Sequence, residues 1–129
     1  MRGRSQETLR KIQKNYKSLT KLEIGVTTDD RYPPSYAEIL GGFYSTAGGD
    51  YSRLGTAIAT NNHLTELEVN TIHRITSKEF YIGLKQNSSI YELWLHGEYQ
   101  DLAGGLGHKI LQVYQENNHL TTLSISCIG

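Results

Sequence analysis

The side chains of this 129-residue chain that could do chemistry are five histidines, one cysteine, a glycine-rich stretch and a recurring set of glutamates. A metal site needs ligands that converge, most simply two histidines at i and i+4 on a helix, or histidines in company with cysteines. His63, His73, His96, His108 and His119 offer neither spacing, so no metal is expected. Cys127 has no basic or histidine neighbour in sequence to draw its thiol toward thiolate, and it reads as a small terminal strand residue. Gly104-Gly105-Leu106-Gly107 invites comparison with a phosphate-cradling loop. The last glycine of Gly-x-Gly-x-x-Gly would fall on Ile110, however, and no Gly-Lys-Ser/Thr occurs elsewhere. These glycines are expected to make a turn, with no cofactor and no catalytic constellation.

The glutamates belong to three of four short stretches in which polar and aliphatic residues alternate. Alternate residues of a strand share a face, so one face would carry Lys21, Glu23 and Gly25, then Glu66, Glu68 and Asn70, then Glu92, Trp94 and His96, then Thr122, Ser124 and Ser126. In register, Lys21 would sit beside Glu66, a favourable pair, whereas Glu23 beside Glu68 and Glu66 beside Glu92 bring like charges onto adjacent strands. An acidic strip kept at that cost points to a partner with a basic surface. Trp94, the single tryptophan, projects from this face as an interface anchor would. Two plainer readings stand beside these: a ring packed against the neighbouring strand, and a solvated polar face.

What must position such a face is a repeat. Asn-Asn-His-Leu-Thr occurs at 61–65 and again at 117–121, and one template surrounds both copies. It has apolar residues three or four apart, an Asn-rich turn, then Leu-x-x-Leu-x-aliphatic. The four instances are Leu9, Ile12, Asn15, Leu19, Leu22 and Ile24; Leu54, Ala57, Ile58, Asn61, Leu64, Leu67 and Val69; Phe80, Leu84, Asn87, Ile90, Leu93 and Leu95; and Ile110, Val113, Tyr114, Asn117, Leu120, Leu123 and Ile125. The first part is a helical stripe and the last a half-buried strand, so helix and strand alternate. Asparagine at each helix end would accept the left-handed backbone that closes a helix. Asp50 is placed just before the second helix, and Thr76-x-x-Glu79 is a capping-box pattern opening the third.

One such unit cannot bury its own apolar face, but units stacked side by side can. The Leu-x-x-Leu-x-Leu pattern with helices and a period near 28 resembles the ribonuclease-inhibitor-like class of leucine-rich repeats. The resemblance implies an α/β solenoid, with parallel strands in chain order on the concave side and helices on the convex side. It also implies a non-enzymatic protein-recognition role. The units fall at 9–25, 54–70, 80–97 and 106–127 of a single domain. Residues 26–53 form an insertion or degenerate repeat, in which Ser35-x-x-Glu38 with Ile39 and Leu40 could start a short helix. The family places Asn or Cys five residues after the second strand leucine, where Thr27, Ile72, Glu98 and Ile128 stand here, so its asparagine ladder is expected to be missing. The absence of a polar capping unit suggests part of a longer array.

Composition fits a thin, repetitive core, with 37 % hydrophobic residues and mean hydropathy −0.47. Thirteen basic and thirteen acidic residues leave no global field for a phosphate backbone, so nucleic acid is not expected. The balance is uneven, because Arg2, Arg4, Arg10, Lys11, Lys14, Lys17 and Lys21 face only Glu7 within the first 21 residues. That basic helix is expected to be a solvated outer face, Lys14 and Lys17 being the candidates for a partner or acidic lipid. No run is long and apolar enough for a signal peptide or membrane span, and one cysteine fits a reducing compartment, so an intracellular, cytoplasmic chain is expected. On that reading the sequon Asn87-Ser88-Ser89 is chance. Two alternatives remain: a small doubly wound nucleotide-binding domain using Gly104–Gly107, and a decayed fragment with no function of its own.

Overall fold

The structure, a computed structural model, describes residues 2–26, 42–45 and 48–128. Its elements are α1 (Arg2–Gln13), β1 (Lys21–Val26), β2 (Phe43–Ser45), α2 (Gly48–Thr60), β3 (Glu66–Val69), a 3-10 turn (Ile72–Arg74), α3 (Lys78–Gln86), β4 (Glu92–Glu98), α4 (Tyr99–Leu102), α5 (Gly105–Glu116) and β5 (Thr122–Ile128). The short helix considered at Ser35 to Leu40 lies outside the described residues.

Helix and strand alternate as the template requires, because each helical stripe is apolar at the positions facing the strands. Leu9 and Ile12, Leu54 and Ile58, Phe80 and Leu84, and Ile110 and Val113 are buried from their respective helices. They meet Leu22 and Ile24, Leu67 and Val69, and Leu93 and Leu95 in one continuous core. Removing such a side chain from water contributes roughly 1.5–3 kcal/mol, and here neighbouring units supply much of the cover. All strand pairs are parallel, and the register aligns Leu22, Leu67, Leu93 and Leu123 in one inner row. The fold is therefore α/β, with β1, β3, β4 and β5 adjacent in chain order.

β2 departs from that order. It pairs with the outer edge of β1, so the sheet reads β2-β1-β3-β4-β5 and the segment 26–53 contributes an edge strand. Such a reversal also occurs in doubly wound sheets, but those carry helices on both faces. Among the described residues no helix covers the second face: Lys21 and Trp94 are exposed and Glu23, Glu66, Glu68, Glu92 and His96 half-buried. The glycines are also misplaced for nucleotide binding. Gly104 is the N-terminal flanking residue of α5, with Gly105 and Gly107 in its first turn, between β4 and β5 and away from the reversal at β1.

The asparagine ladder expected to be missing is present at a different position. Asn61, Asn87 and Asn117 are buried, and each sits where a helix turns into a strand. Asn87 Oδ1 accepts the main-chain N–H groups of Ser89 (2.8 Å) and Ile90 (2.7 Å), while its Nδ2 donates to the carbonyls of Ile58 (2.8 Å) and Asn61 (3.0 Å) in the preceding unit. Asn117 repeats this with His119 and Leu120 on one side and Leu84 and Asn87 on the other. Asn61 likewise accepts from His63 and Leu64 and donates to Ile12. Each asparagine thus ties its own turn and staples its unit to the previous one. A left-handed backbone is not the reason for these residues: Asn87 and Asn117 are extended, and among the described non-glycine residues only Asn15 has a positive φ, 58°. In the folded chain the sequon's Asn87 is buried and its amide is committed to two carbonyls.

The strand starts repeat as well. The Thr20 carbonyl accepts from Thr65 and Glu66, that of Thr65 from Tyr91 and Glu92, and that of Tyr91 from Thr121 and Thr122.

Two helix starts differ from expectation. Asp50 lies within the first turn of α2, which begins at Gly48, where its carboxylate accepts from the Ser45 hydroxyl. For α3 the flanking residue is Ser77, not Thr76, and no side-chain cap forms on the main chain. Glu79 instead accepts its own main-chain N–H and the hydroxyls of Ser52 and Ser77, which hold its carboxyl below the ordinary range.

Helices α2 and α3 touch backbone to backbone. A Cβ on Gly83 would overlap the Gly55 carbonyl, and one on Gly55 would overlap Glu79 and Phe80 main-chain atoms. Among the described residues no helix is long and apolar enough to cross a membrane.

Candidate functional site

The ten residues expected to form a contact surface, Lys21, Glu23, Glu66, Glu68, Asn70, Glu92, Trp94, His96, Thr122 and Ser124, lie along the face of the sheet opposite the helices. One row runs Lys21, Glu66, Glu92, Thr122 and the next Glu23, Glu68, Trp94, Ser124. Asn70 follows β3, and His96 pairs with Ser126 one step further along. The placement follows from strand alternation, since the residues between these on β3 and β4 are the buried Leu67, Val69, Leu93 and Leu95 of the core.

The electrostatics are less costly than charge counting predicts. Lys21 Nζ lies 3.4 Å from Glu66 Oε2, the straight neighbour. The other contacts run diagonally: Asn70 Nδ2 donates to Glu23 Oε2 at 3.0 Å, and His96 Nε2 lies 2.8 Å from Glu68 Oε2. Each pairs a residue with one two positions further along the next strand, within reach of long side chains. Three of the four glutamates therefore have a partner. The Glu92 carboxylate has no hydrogen bond or ion pair among the described residues, although it lies directly beside Glu66. The acidic strip narrows to one uncompensated carboxylate flanked by Glu66 and by Trp94.

Trp94 is 40 % exposed, so the ring is neither sealed into the sheet nor fully solvated. Together with Lys21, Glu66, Glu68 and Glu92 it lines a shallow groove of about 570 Å³ across β1, β3 and β4.

The histidines do not converge. His63 Nδ1 lies 3.0 Å from Asn15 Oδ1 in the turn before β3, and His119 holds the equivalent turn position before β5. His73 is packed behind β4, where Nε2 lies 3.4 Å from Glu98 Oε1 and Nδ1 is buried without a partner among the described residues. Among the described residues no three His, Cys, Asp or Glu side chains gather as a metal would need. Cys127 is exposed on β5.

Sequence reasoning missed the hub at Tyr51. Its hydroxyl donates to the carbonyls of Gly25 and Ser45 and accepts the Ser45 N–H at 3.1 Å, fastening β2 to β1 and α2. Burial pushes this phenol well above its ordinary pKa, and nearby Asp50 adds to the effect. The only sequence signal was a tyrosine in the apolar stripe of α2, three residues before Leu54. Also missed was the apolar far end, where Leu111, Tyr114 and Ile125 are exposed.

No protein-family model matches the chain, and no curated protein matches it significantly.

Proposed function

We propose that the chain is a non-enzymatic protein-recognition module of the leucine-rich repeat kind, whose open strand face is the concave side of a short solenoid and meets a basic surface on its partner. One observation carries the reading: Trp94 stands half-exposed in a groove beside Glu92, whose carboxylate has no partner among the described residues. A lysine or arginine placed there could pair with Glu92 and Glu66 and cover the indole, a cation–π contact being worth about 0.5–2 kcal/mol. The compensated residues around it, Lys21 with Glu66 and His96 with Glu68, supply a polar rim.

The test is a capture experiment comparing the unmodified chain with Trp94→Ala combined with Glu92→Lys. Neither side chain is buried in the core, so the double variant keeps its fold, which its melting curve checks. Loss of the captured partners supports the reading; retention of every one rejects this face. A chain with no independent function captures nothing specific in either form.

A further inference from the structure

The two ends of the sheet differ in chemistry. At the β2 end, both main-chain groups of Ser45 are engaged by Tyr51, and the Gly42 carbonyl accepts from Thr8. At the β5 end, a seven-residue strand without charge or proline pairs, among the described residues, with β4 on one side only. Such an edge leaves alternate main-chain donors and acceptors facing outward.

The same end exposes apolar side chains at positions that are buried in inner units. Relative to each ladder asparagine, Tyr114 occupies the place of Ile58 and Leu84, yet is 45 % exposed against 0 % and 4 %. Ile125 occupies that of Val69 and Leu95, 48 % against 0 % and 1 %. Leu111 occupies that of Tyr81, 50 % against 5 %. A cleft of about 380 Å³ between α5 and β5, lined by Leu111, Leu123 and Ile125, opens along this side.

The ladder specifies the missing neighbour. Each asparagine amide donates to the carbonyl three residues before the previous asparagine, and from Asn87 onward also to that asparagine's own carbonyl. The next acceptors in this series are the carbonyls of Tyr114 and Asn117, and the Thr121 carbonyl continues the series at the strand starts. None of the three accepts a hydrogen bond among the described residues. We infer that the β5 end is the seat of one further helix-turn-strand unit, a segment of a longer array with the sequence Asn-x-x-Leu-x-x-Leu-x-aliphatic after its helix. Its asparagine amide donates to Tyr114 and Asn117, its strand extends the sheet in parallel, and its helix covers Leu111 and Tyr114. The inference rests on unit-to-unit stacking and is independent of what the open face binds.

The test joins a copy of residues 99–128 directly after Gly129 and follows amide hydrogen exchange in Thr122–Ile128 together with the melting temperature. The expected result is exchange slowed about tenfold or more at alternate β5 amides, with a higher melting temperature. Both gains disappear when Asn117→Ala is made in the copy alone. Exchange unchanged by the extension overturns the inference. So does protection that survives the loss of the copied asparagine, or an unextended chain that sediments as a dimer with these amides already protected. A second variant guards against an extension that fails to fold: Leu111→Lys with Ile125→Lys in the unextended chain should leave its melting temperature unchanged. A large fall there means that the two side chains are already covered, and overturns the inference equally.

Discussion

Replacing Asn87 by alanine tests the structural core of this reading. The change removes the acceptor of two main-chain N–H groups, those of Ser89 and buried Ile90, and the donor to two carbonyls. The carbonyls are not orphaned, since Ile58 still accepts from the Asn61 N–H at 3.2 Å and Asn61 from the Ser89 hydroxyl at 3.2 Å. The cost falls on the two N–H groups, at about 1–3 kcal/mol each, so a loss of about 4 kcal/mol is expected. That is a large part of the roughly 5–15 kcal/mol that holds a domain together. In urea, with a slope near 2 kcal/mol/M, the midpoint should fall by about 2 M at unchanged slope. Asn118→Ala, at an exposed position one residue past the last ladder asparagine, should change stability by less than about 0.5 kcal/mol. Asn87→Asp sharpens the test, because it keeps the acceptor but turns a carboxylate oxygen toward two carbonyls. Its folded pKa should therefore rise above the unfolded value near 3.9. The folded state then binds the extra proton, so this variant should lose stability as pH climbs from about 4 toward neutrality. A loss under about 1 kcal/mol for Asn87→Ala, or a flat pH response for Asn87→Asp, would refute the ladder as a staple between units.

Three further outcomes follow from other contacts. Gly83→Ala gains about 1 kcal/mol of helix propensity, but its methyl overlaps the Gly55 carbonyl, and overpacking of this kind costs about 1–3 kcal/mol or more; net destabilisation by thermal melting is expected, and a rise in melting temperature contradicts the close approach. Tyr51 and Tyr81 are buried, and burial raises both phenol pKa values above the ordinary value near 10. The folded state thus keeps protons that the unfolded state loses, so their contribution is intact below pH 10 and lost as pH rises beyond it; an ultraviolet titration compared with those of Tyr51→Phe and Tyr81→Phe should find these two phenols ionising only as the chain unfolds. Trp94→Ala with Glu92→Lys should leave the urea midpoint nearly unchanged, which separates loss of capture from loss of fold.

The strand register was legible because Leu-x-x-Leu-x-aliphatic fixes which residues face inward, and a slip of one would expose all of them. From that register the position of every candidate face residue followed. The ladder was not legible at the position where the family pattern places it. The asparagines were in view, but they were assigned a backbone conformation, whereas their amides bridge units that sequence does not yet place side by side. Two features depended on three-dimensional neighbours in the same way: the diagonal partners of Glu23 and Glu68, and the Gly55–Gly83 contact. Phe43-Tyr44-Ser45 is too short for periodicity to mark as a strand, and the Tyr51 hydroxyl that fastens Ser45 to β1 does so through Gly25, which lies 26 residues before it in sequence.

The meeting of Gly55 and Gly83 also bears on shape. Strands in a sheet are about 4.8 Å apart and packed helices usually 8–10 Å, so each strand-and-helix pair is a wedge, thin on the strand side and thick on the helix side. Where two glycines let α2 and α3 close to main-chain contact, the thick side shrinks and the taper lessens. Between α3 and α5 no such glycine pair stands; the Tyr81 ring is there instead, with Lys109 Nζ 5.4 Å from its centre. The helix layer is thus drawn in behind β3 and β4, the part of the sheet whose other face carries Trp94.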